Sequence, residues 1–332
     1  MKRRPALDQR LLHPAPDSAS PRPPWFLLVG PTAVGKSAVA ERLAPALGTE
    51  IIVADSRQIY RGMDIGTAKP SAESRRRVPR RLIDVVSPDQ SFSAGAYKKL
   101  AEAKAAEMEA KGKAVFIEGG TGLYIKALLY GLWEGPPADW ALRQKWAERE
   151  KEEAGTLHRL LAGVDPDAAR RIHPRDIPKV TRALEVFHLT GRPLSHFHDR
   201  HRFEASPAPP FRMVGMRRER EDLYRRIEAR VDRQIADGLA AETERFLAGG
   251  LSPSLQSMRG LGYRQMIPYL QGERTLEEAV SLLKRDTRRY AKRQMTWFQA
   301  DPRIEWIDVK DGETAEETAD RIKHLKNYRI ML

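Results

Sequence analysis

The residues best suited to chemistry lie in one short stretch, Gly30-Pro31-Thr32-Ala33-Val34-Gly35-Lys36-Ser37. A glycine, four free positions and then Gly-Lys-Ser is the pattern of a phosphate-binding loop. In such a loop backbone N–H groups surround an anion, Lys36 adds a positive charge and the Ser37 hydroxyl can hold Mg²⁺. The stretch predicts a site for a polyphosphate but does not say which one. The alternative is a plain glycine turn with a surface lysine.

The elements around this phosphate loop match its expected context. The apolar run Trp25–Val29 before it predicts a buried strand, and Val39, Leu43 and Leu47 after it are spaced like one face of a helix. Helix-like stretches cover Ala94–Lys111 and much of 139–190. The further apolar runs that predict strands are Glu50–Ala54, Leu82–Val86, Ala114–Ile117, Phe211–Met216 and Ile304–Val309.

Strands that alternate with helices predict an α/β protein, a P-loop NTPase-like parallel sheet flanked by helices, with an inserted all-helical second lobe. We expect a core domain made of 24–135 and 206–332, the latter including C-terminal helices, and a helical insert at 136–205. Residues 1–23 are rich in proline and predict a disordered leader.

Polar residues follow several of the predicted strands. Asp55 begins a polar loop, residues 55–70 (DSRQIYRGMDIGTAKP), and Glu118–Gly122 (EGGTG) follows a later strand. The carboxyl ends of parallel strands meet at one crevice, so we expect these segments to lie near the phosphate loop. The Asp55 carboxylate there could bind a metal or act as a general base, and the alternative is a turn aspartate.

Composition limits the function classes. The chain has 332 residues, no cysteine, and 58 Lys and Arg against 45 Asp and Glu, a formal net charge of +13. The absence of cysteine excludes disulfides and cysteine zinc sites. The positive balance favours an anionic partner such as nucleic acid. No apolar stretch is long enough to span a membrane, so we expect a cytoplasmic protein that does not bind membranes, and a monomer.

Six segments together resemble one family, the tRNA dimethylallyltransferases of bacterial type. The resemblance runs from about Pro24 to Asp301, and its most specific segment is the polar loop. The segments are GPTAVGKS, ADSRQIYRGMDIGTAKP, EGGTGLYIKALLYGL, RALEVFHLTGRPLS, SMRGLGYRQM and KRQMTWF.

The resemblance implies a reaction and its participants. Dimethylallyl diphosphate would donate its five-carbon group to N6 of the adenosine 3′ of the anticodon of a tRNA, at position 37, and diphosphate would leave. The phosphate loop would then hold a leaving group, with Mg²⁺ as cofactor bound at Ser37. Asp55 matches the general base of the family, and we place Thr121 with it among the catalytic residues. Arg230 matches a diphosphate-binding arginine.

Arg230 can also be weighed by geometry. It falls at the edge of the apolar stripe formed by Leu223, Ile227 and Val231, from where an arginine can reach a crevice. The alternative is a side chain that only covers the core.

The resemblance also implies contacts with the anticodon stem-loop. Thr121 is predicted to contact the tRNA, and the alternative is that it caps the N-terminus of the next helix. In the segment 259–264 the Tyr263 ring offers a stacking face, and the alternative is a glycine-containing loop before a helix. The predicted tRNA-binding residues are Asp55, Ser56, Arg57, Gln58, Thr121, Arg143, Lys179, Arg182, Arg259, Gly260, Leu261, Gly262, Tyr263 and Arg264.

Three other functions use the same features. They are a small-molecule P-loop kinase, an RNA-binding protein without chemistry, and a prenyltransferase that acts on free adenine nucleotides.

Four basic residues near the C-terminus lie at helical spacing, namely Arg285, Arg288, Arg289 and Lys292. They form either a solvated helix face or contacts with the phosphate backbone of a nucleic acid. We expect the nearby Trp297 and Phe298 in the core.

Overall fold

The computed structural model describes residues 24–133, 135–200 and 210–325, with the side chains of 198–200 left aside. The predicted leader, 1–23, lies outside the described residues. Across the described ranges, no helix is both long and apolar enough to cross a lipid bilayer. Contacts divide the chain into two compact units, and the described part of the first comprises 24–92, 101–122 and 210–325.

The described elements follow the predicted alternation of strands and helices. In chain order they are β1 (Trp25–Val29), α1 (Lys36–Ala46), β2 (Ile51–Ala54), α2 (Ala72–Arg77), β3 (Arg80–Arg81), α3 (Ala94–Ala110), β4 (Phe116–Gly119), α4 (Gly122–Tyr130), α5 (Trp140–Glu152), α6 (Thr156–Val164), α7 (Pro166–Arg171), α8 (Ile177–Thr190), α9 (Leu194–Arg200), β5 (Phe211–Arg217), α10 (Arg220–Ala236), α11 (Leu239–Ala248), α12 (Tyr263–Leu270), α13 (Leu276–Gln299), β6 (Ile304–Asp308) and α14 (Ala315–Lys323).

The first unit contains a six-stranded sheet in the order β3-β2-β4-β1-β5-β6. All the pairings are parallel. Every residue of β1, β2 and β4 is buried, as expected of strands that are covered on both faces. The core beside them includes Val39 and Leu43 of α1 and Ile227 of α10. The predicted α/β class with a parallel sheet is confirmed.

One predicted strand, Leu82–Val86, is wrong. The strand at this point is the two-residue β3, Arg80–Arg81, and the backbone then leaves the sheet because Leu82 and Asp84 have φ of 64° and 57°. Residues 84–86 bond instead to the polar loop, where Val85 N–H donates to the Ile59 carbonyl at 2.7 Å. The run is therefore a segment whose backbone pairs with a loop and not a strand of the sheet.

The described part of the second unit comprises 93–100, 123–133 and 135–200, and it is helical. Its core is formed by α6 and α8, with Leu157, Leu161 and Val180 fully buried. Aspartate side chains cap two of its helices, Asp139 at α5 and Asp165 at α7. The domain boundaries at 136 and 205 stay a prediction.

Candidate active site

The phosphate loop connects β1 to α1 and depends on two glycines with positive φ. Gly30 has φ 146° and Gly35 has φ 109°. A Cβ atom on Gly30 would lie 2.5 Å from the carbonyl oxygen of Met216 in β5, so a larger residue does not fit unless the backbone moves. Gly35 is the N-cap of α1, which begins at Lys36. The loop therefore brings the free N–H groups and the dipole of a helix N-terminus to one point.

Arg230 contacts this loop from α10, where the sequence placed it at the edge of the buried stripe. Its Nη1 donates to the Thr32 hydroxyl at 3.1 Å. Burial lowers the pKa of the guanidinium, and the negative charge of Asp55 opposes this effect. Arg230 thus reaches the site, and the alternative of a side chain that only covers core does not describe it.

Two arginines that sequence reasoning missed bind successive carbonyl groups of the loop. Arg218, just after β5, donates from Nε to the Val34 carbonyl at 3.0 Å. Arg226 donates from Nε to the Ala33 carbonyl, also at 3.0 Å. Arg226 lies one helical turn before Arg230, and this spacing was the signal that could have identified it. Together they fix the loop backbone with charge-assisted hydrogen bonds.

Lys36 is buried beneath the loop, with 8% of the residue exposed. Its Nζ donates to the Pro31 carbonyl at 2.7 Å. Burial lowers the pKa of Lys36 to about 8; the carboxylates of Glu118 and Asp55 counteract this, and Arg230 adds to it. The lysine therefore stands among two carboxylates and another cation, and an anion bound in the loop would favour its charged form further.

Asp55 follows β2 directly and forms a turn with its own backbone. Its Oδ1 accepts the N–H of Arg57 at 2.8 Å and that of Gln58 at 3.4 Å. Among the hydrogen bonds of the described residues, none uses Oδ2. The charge of Asp55 acts on both Lys36 and Arg230. The structure thus contains the turn that was the alternative interpretation, and it also places the carboxylate beside the cations of the loop.

Thr121, at the end of β4, is tied to the start of the polar loop. Its N–H donates to the Ala54 carbonyl at 3.1 Å, and its Oγ1 accepts the N–H of Ser56 at 3.0 Å. Its hydroxyl is thus bound across the sheet edge, to the backbone of Ser56. Tyr290 of α13 lies nearby, and burial together with the negative charge of Asp55 raises the pKa of Tyr290 to about 12. Sequence reasoning missed this tyrosine.

Gln294, also on α13, links the phosphate loop to the turn after β4. Its Oε1 accepts the N–H of Thr32 at 2.9 Å, and its Nε2 donates to the Gly120 carbonyl at 2.8 Å. A Cβ on Gly120 would lie 2.5 Å from that Nε2. The glycine is therefore required for this link, which no local sequence pattern indicated.

The buried carboxylate of Glu242 in α11 binds the middle of the polar loop. The backbone N–H groups of Asp64, Ile65 and Gly66 donate to it at 3.0 to 3.1 Å. The Tyr263 hydroxyl donates to the same carboxylate at 2.6 Å. This arrangement keeps a long connection in one conformation close to the phosphate loop.

The predicted stacking face of Tyr263 is wrong. The residue is 1% exposed, its hydroxyl is bound to Glu242, and burial raises its pKa. It is the first residue of α12, after Gly262 with φ 96°, so the alternative of a glycine loop before a helix describes the backbone. Arg259 and Arg264 of the same segment are exposed, and Arg264 Nη2 donates to Asp286 at 2.9 Å.

The remaining predicted residues of the polar loop have structural partners. Arg57 Nη1 donates to the Gln256 carbonyl at 2.7 Å. Gln58 is buried, and its Nε2 lies 3.4 Å from the Thr67 carbonyl. Both side chains bind carbonyl groups of the protein and so stabilise the conformation of the polar loop. This role does not exclude a contact with the substrate.

A cationic groove of about 380 Å³ lies along α13. Trp297 is 38% exposed, so the prediction that it belongs to the core is wrong, whereas Phe298 at 1% exposed confirms that prediction for its neighbour. The residues that line the groove are Arg289, Lys292, Arg293, Thr296 and Trp297.

In the second unit the predicted basic residues differ in their availability. Arg143 donates from Nε and Nη2 to the two oxygens of Glu185, each at 2.7 Å, and Arg182 binds the same carboxylate. The Glu185 side chain is fully buried. Lys179 is 71% exposed and pairs with Asp176 at 2.7 Å. The two arginines thus have a structural role, and Lys179 has the most exposed side chain of the three.

The buried lysine, the loop-binding arginines and the carboxylate at the end of a neighbouring strand form a site suited to a phosphorylated ligand. Residues 58–301 match the sequence model described as IPP transferase, and the chain belongs to this family of prenyltransferase enzymes. The prediction of the family from its six segments is confirmed.

Named relatives agree with this assignment. A protein of Geotalea uraniireducens called tRNA dimethylallyltransferase 2 is 50% identical over 86% of this chain and 93% of its own length. The tRNA dimethylallyltransferase of Pelotomaculum thermopropionicum is 48% identical over 92% of this chain and 97% of its own.

Solved structures give the same result for the fold. The full-length tRNA isopentenylpyrophosphate transferase of Bacillus halodurans has a TM-score of 0.67 and 37% identity, covering 93% of this chain and 98% of that one. A eukaryotic dimethylallyltransferase, captured acting on tRNA, has a TM-score of 0.76 at 23% identity, and covers 92% of this chain and 79% of its own. At that identity the second likeness concerns the fold alone.

Proposed function

We propose that this enzyme transfers the dimethylallyl group of dimethylallyl diphosphate to N6 of the adenosine 3′ of the anticodon in tRNA and releases diphosphate. The observation that carries the proposal is the position of Asp55 at the end of β2, beside the β4 turn that Gln294 links to the phosphate loop, where its charge acts on Lys36 and Arg230. A diphosphate held by the loop would have its leaving oxygen near a group that can accept a proton. The names of the relatives supply the substrates.

The leaving group needs positive charge where its negative charge grows. In the transfer the bond between C1 of the prenyl group and the diphosphate oxygen breaks, and both electrons stay with diphosphate. Lys36, Arg230 and the loop N–H groups stabilise that charge, in an arrangement formed before the reaction. The arginines at positions 218 and 226 keep the loop backbone in place.

The amine needs an acceptor for the proton that it loses. The new bond forms between N6 and C1, and Asp55 takes the proton that N6 sheds. Because the turn holds Oδ1, Oδ2 is the oxygen open to the amine. Thr121 and Tyr290 place hydroxyl groups next to this carboxylate and would orient the adenine.

The residues present fit a magnesium ion in part. The described residues contain no cluster of three or more His, Cys, Asp or Glu side chains able to hold a metal. The Ser37 hydroxyl lies 3.3 Å from the Glu118 carboxylate, and Mg²⁺ bound with a diphosphate commonly takes few protein ligands, the rest being phosphate oxygens and water. Ser37 would hold Mg²⁺, which neutralises developing charge on the leaving diphosphate.

The tRNA would be gripped by basic groups outside this site. Arg259, Arg264 and Lys179 are exposed, and the groove along α13 adds further cations beside an exposed tryptophan. We propose that these contact the anticodon stem-loop, with Arg143 and Arg182 shaping the surface through Glu185. A target base in a stack cannot reach Asp55, so it must be turned out. We also propose that the enzyme is a monomer and that it acts in the cytoplasm, where tRNA is abundant.

The test is a transfer assay that compares acceptors. Purified enzyme, Mg²⁺ and dimethylallyl diphosphate are incubated with a tRNA that has adenosine next to its anticodon, and digestion with mass spectrometry locates the added isoprenoid mass. We expect a single modified adenosine, and none in a transcript with guanosine at that position.

Two further acceptors separate the other functions. If AMP or ATP is prenylated efficiently and the tRNA is not, the result would contradict the proposal and identify a nucleotide prenyltransferase. Phosphate transfer from ATP without any prenylation would identify a kinase, and tRNA binding without product would identify a binding protein.

A further inference from the structure

Glu118 is a carboxylate in the middle of the sheet. It lies in β4, with Leu28 of β1 on one side and Val53 of β2 on the other, and it is 5% exposed. An ionised group in such a place is costly unless it is paired and hydrogen bonded. Its partners therefore indicate what the charge is there for.

Both oxygens of Glu118 are used. Oε2 accepts from Nη1 of Arg80 at 3.3 Å, and Oε1 accepts from the hydroxyl of Ser37 at 3.3 Å. Arg80 has a fully buried side chain, and its Nη2 donates to the Ser37 carbonyl at 2.9 Å and to Glu41 at 3.0 Å. Ser37 is thus bound at its hydroxyl by one member of the ion pair and at its carbonyl by the other.

This arrangement decides which way the Ser37 hydroxyl points. A hydroxyl has one proton and two lone pairs, and it can turn to suit its neighbours. With the proton directed at Glu118, the lone pairs of the oxygen stay open to a cation. Charged groups that orient a metal ligand in this manner alter the affinity for the metal although they do not touch it.

We infer that Glu118, held in place by Arg80, positions the Ser37 hydroxyl for a divalent cation bound together with the diphosphate. The inference rests on the proposed function, in which Ser37 and the diphosphate share such a cation. Glu118 is a positioning residue here, and Arg80 supports it from the far side of the carboxylate.

Glu118→Gln tests the inference with little change in shape. Arg80 can only donate, so the glutamine turns its carbonyl oxygen to Arg80 and its NH₂ to Ser37. The serine oxygen then accepts a hydrogen bond, and a lone pair that would face the cation is used. We expect the affinity for Mn²⁺, in the presence of inorganic diphosphate, to fall about 10- to 100-fold.

The measurement counts free Mn²⁺ by electron paramagnetic resonance while the ion is titrated into enzyme with inorganic diphosphate. The matched control is Glu41→Gln, which removes the other carboxylate on Arg80 and leaves the Ser37 hydroxyl bonded to Glu118. We expect wild-type Mn²⁺ affinity in that control. In transfer assays Glu118→Gln should raise the Mg²⁺ concentration needed for half-maximal rate.

Two outcomes would overturn the inference or its basis separately. Unchanged Mn²⁺ affinity in Glu118→Gln, with Ser37→Ala impaired, assigns Glu118 a purely structural role. Unchanged affinity in Ser37→Ala as well removes the proposed cation ligand itself. If Glu118→Gln does not fold, the double variant Arg80→Met with Glu118→Met removes both buried charges together, and it must show the same loss of Mn²⁺ affinity.

Discussion

Replacing Asp55 by asparagine separates two roles of this side chain. Its Oδ1 accepts the backbone N–H groups of Arg57 and Gln58 at 2.8 and 3.4 Å. The amide oxygen of an asparagine can accept the same bonds, so the turn after β2 is kept. An asparagine cannot take a proton from the adenine amine, so the base is lost. Asp55→Ala loses both and is the matched comparison.

The expected loss for Asp55→Asn is confined to the chemical step. A general base contributes roughly 10²- to 10⁴-fold in rate, which is about 2.7 to 5.4 kcal/mol at 1.36 kcal/mol per factor of ten. The donor should bind at least as tightly, because the carboxylate that is removed lies beside the cations Lys36 and Arg230 and repels a diphosphate. Asp55→Ala should in addition lower the free energy of unfolding by about 1 kcal/mol per lost hydrogen bond.

The assay is a single-turnover transfer of labelled dimethylallyl groups to tRNA with enzyme in excess, so that product release does not limit the rate. Binding of tRNA and of the donor is measured separately with each variant. A rate for Asp55→Asn within tenfold of the wild type would refute the assignment of the base. A loss of rate with an equal loss of donor binding would indicate a positioning role instead.

Three further predictions concern groups around the site and in the second unit. Affinity for dimethylallyl diphosphate in metal-free buffer should fall about tenfold per pH unit above about 8, because Lys36 then loses the proton that the anion needs; calorimetry should find this dependence reduced in Lys36→Arg, which stays charged. Gly30→Ala should abolish donor binding and lower the melting temperature, since its Cβ would meet the Met216 carbonyl at 2.5 Å; unchanged donor affinity in a folded variant would contradict the loop geometry. Glu185→Gln should lower the free energy of unfolding by about 3 kcal/mol at neutral pH, because Arg143 and Arg182 then lose the buried counter-charge that they bind. Since its neighbours lower the pKa of Glu185, that contribution is present above the ordinary glutamate pKa and is lost as pH falls through the lowered one, so urea unfolding of variant and wild type should converge in acid.

The parts of the fold that follow from local patterns were predictable. Trp25–Val29 is a continuous apolar run, which predicts a strand that is buried on both faces, and it forms the buried strand β1. Leu82–Val86 is also largely apolar, but its backbone bonds to the polar loop, and the positive φ of Leu82 ends the strand before it. A local apolar pattern predicts that the residues are buried, but it does not predict which element packs against them.

The same limit applies to the site. The phosphate loop and Asp55 lie in short continuous stretches whose residue types indicate their chemistry. Gln294 binds the Thr32 amide across 262 positions of sequence, and Tyr290 reaches Thr121 from the same distant helix. No spacing rule joins these residues, because they lie on elements far apart in sequence that meet only in the folded chain.

The arginine bonds to the loop carbonyls have an effect on the opposite edge of the same peptide groups. In a planar trans peptide the C=O and N–H vectors point in opposite directions. The carbonyls of Ala33 and Val34 are turned toward Arg226 and Arg218, so the N–H groups of Val34 and Gly35 point away from them. Each guanidinium also draws electron density through its peptide and makes those N–H groups stronger donors. Two cations would thereby strengthen the binding of an anion by these N–H groups, by way of the main chain.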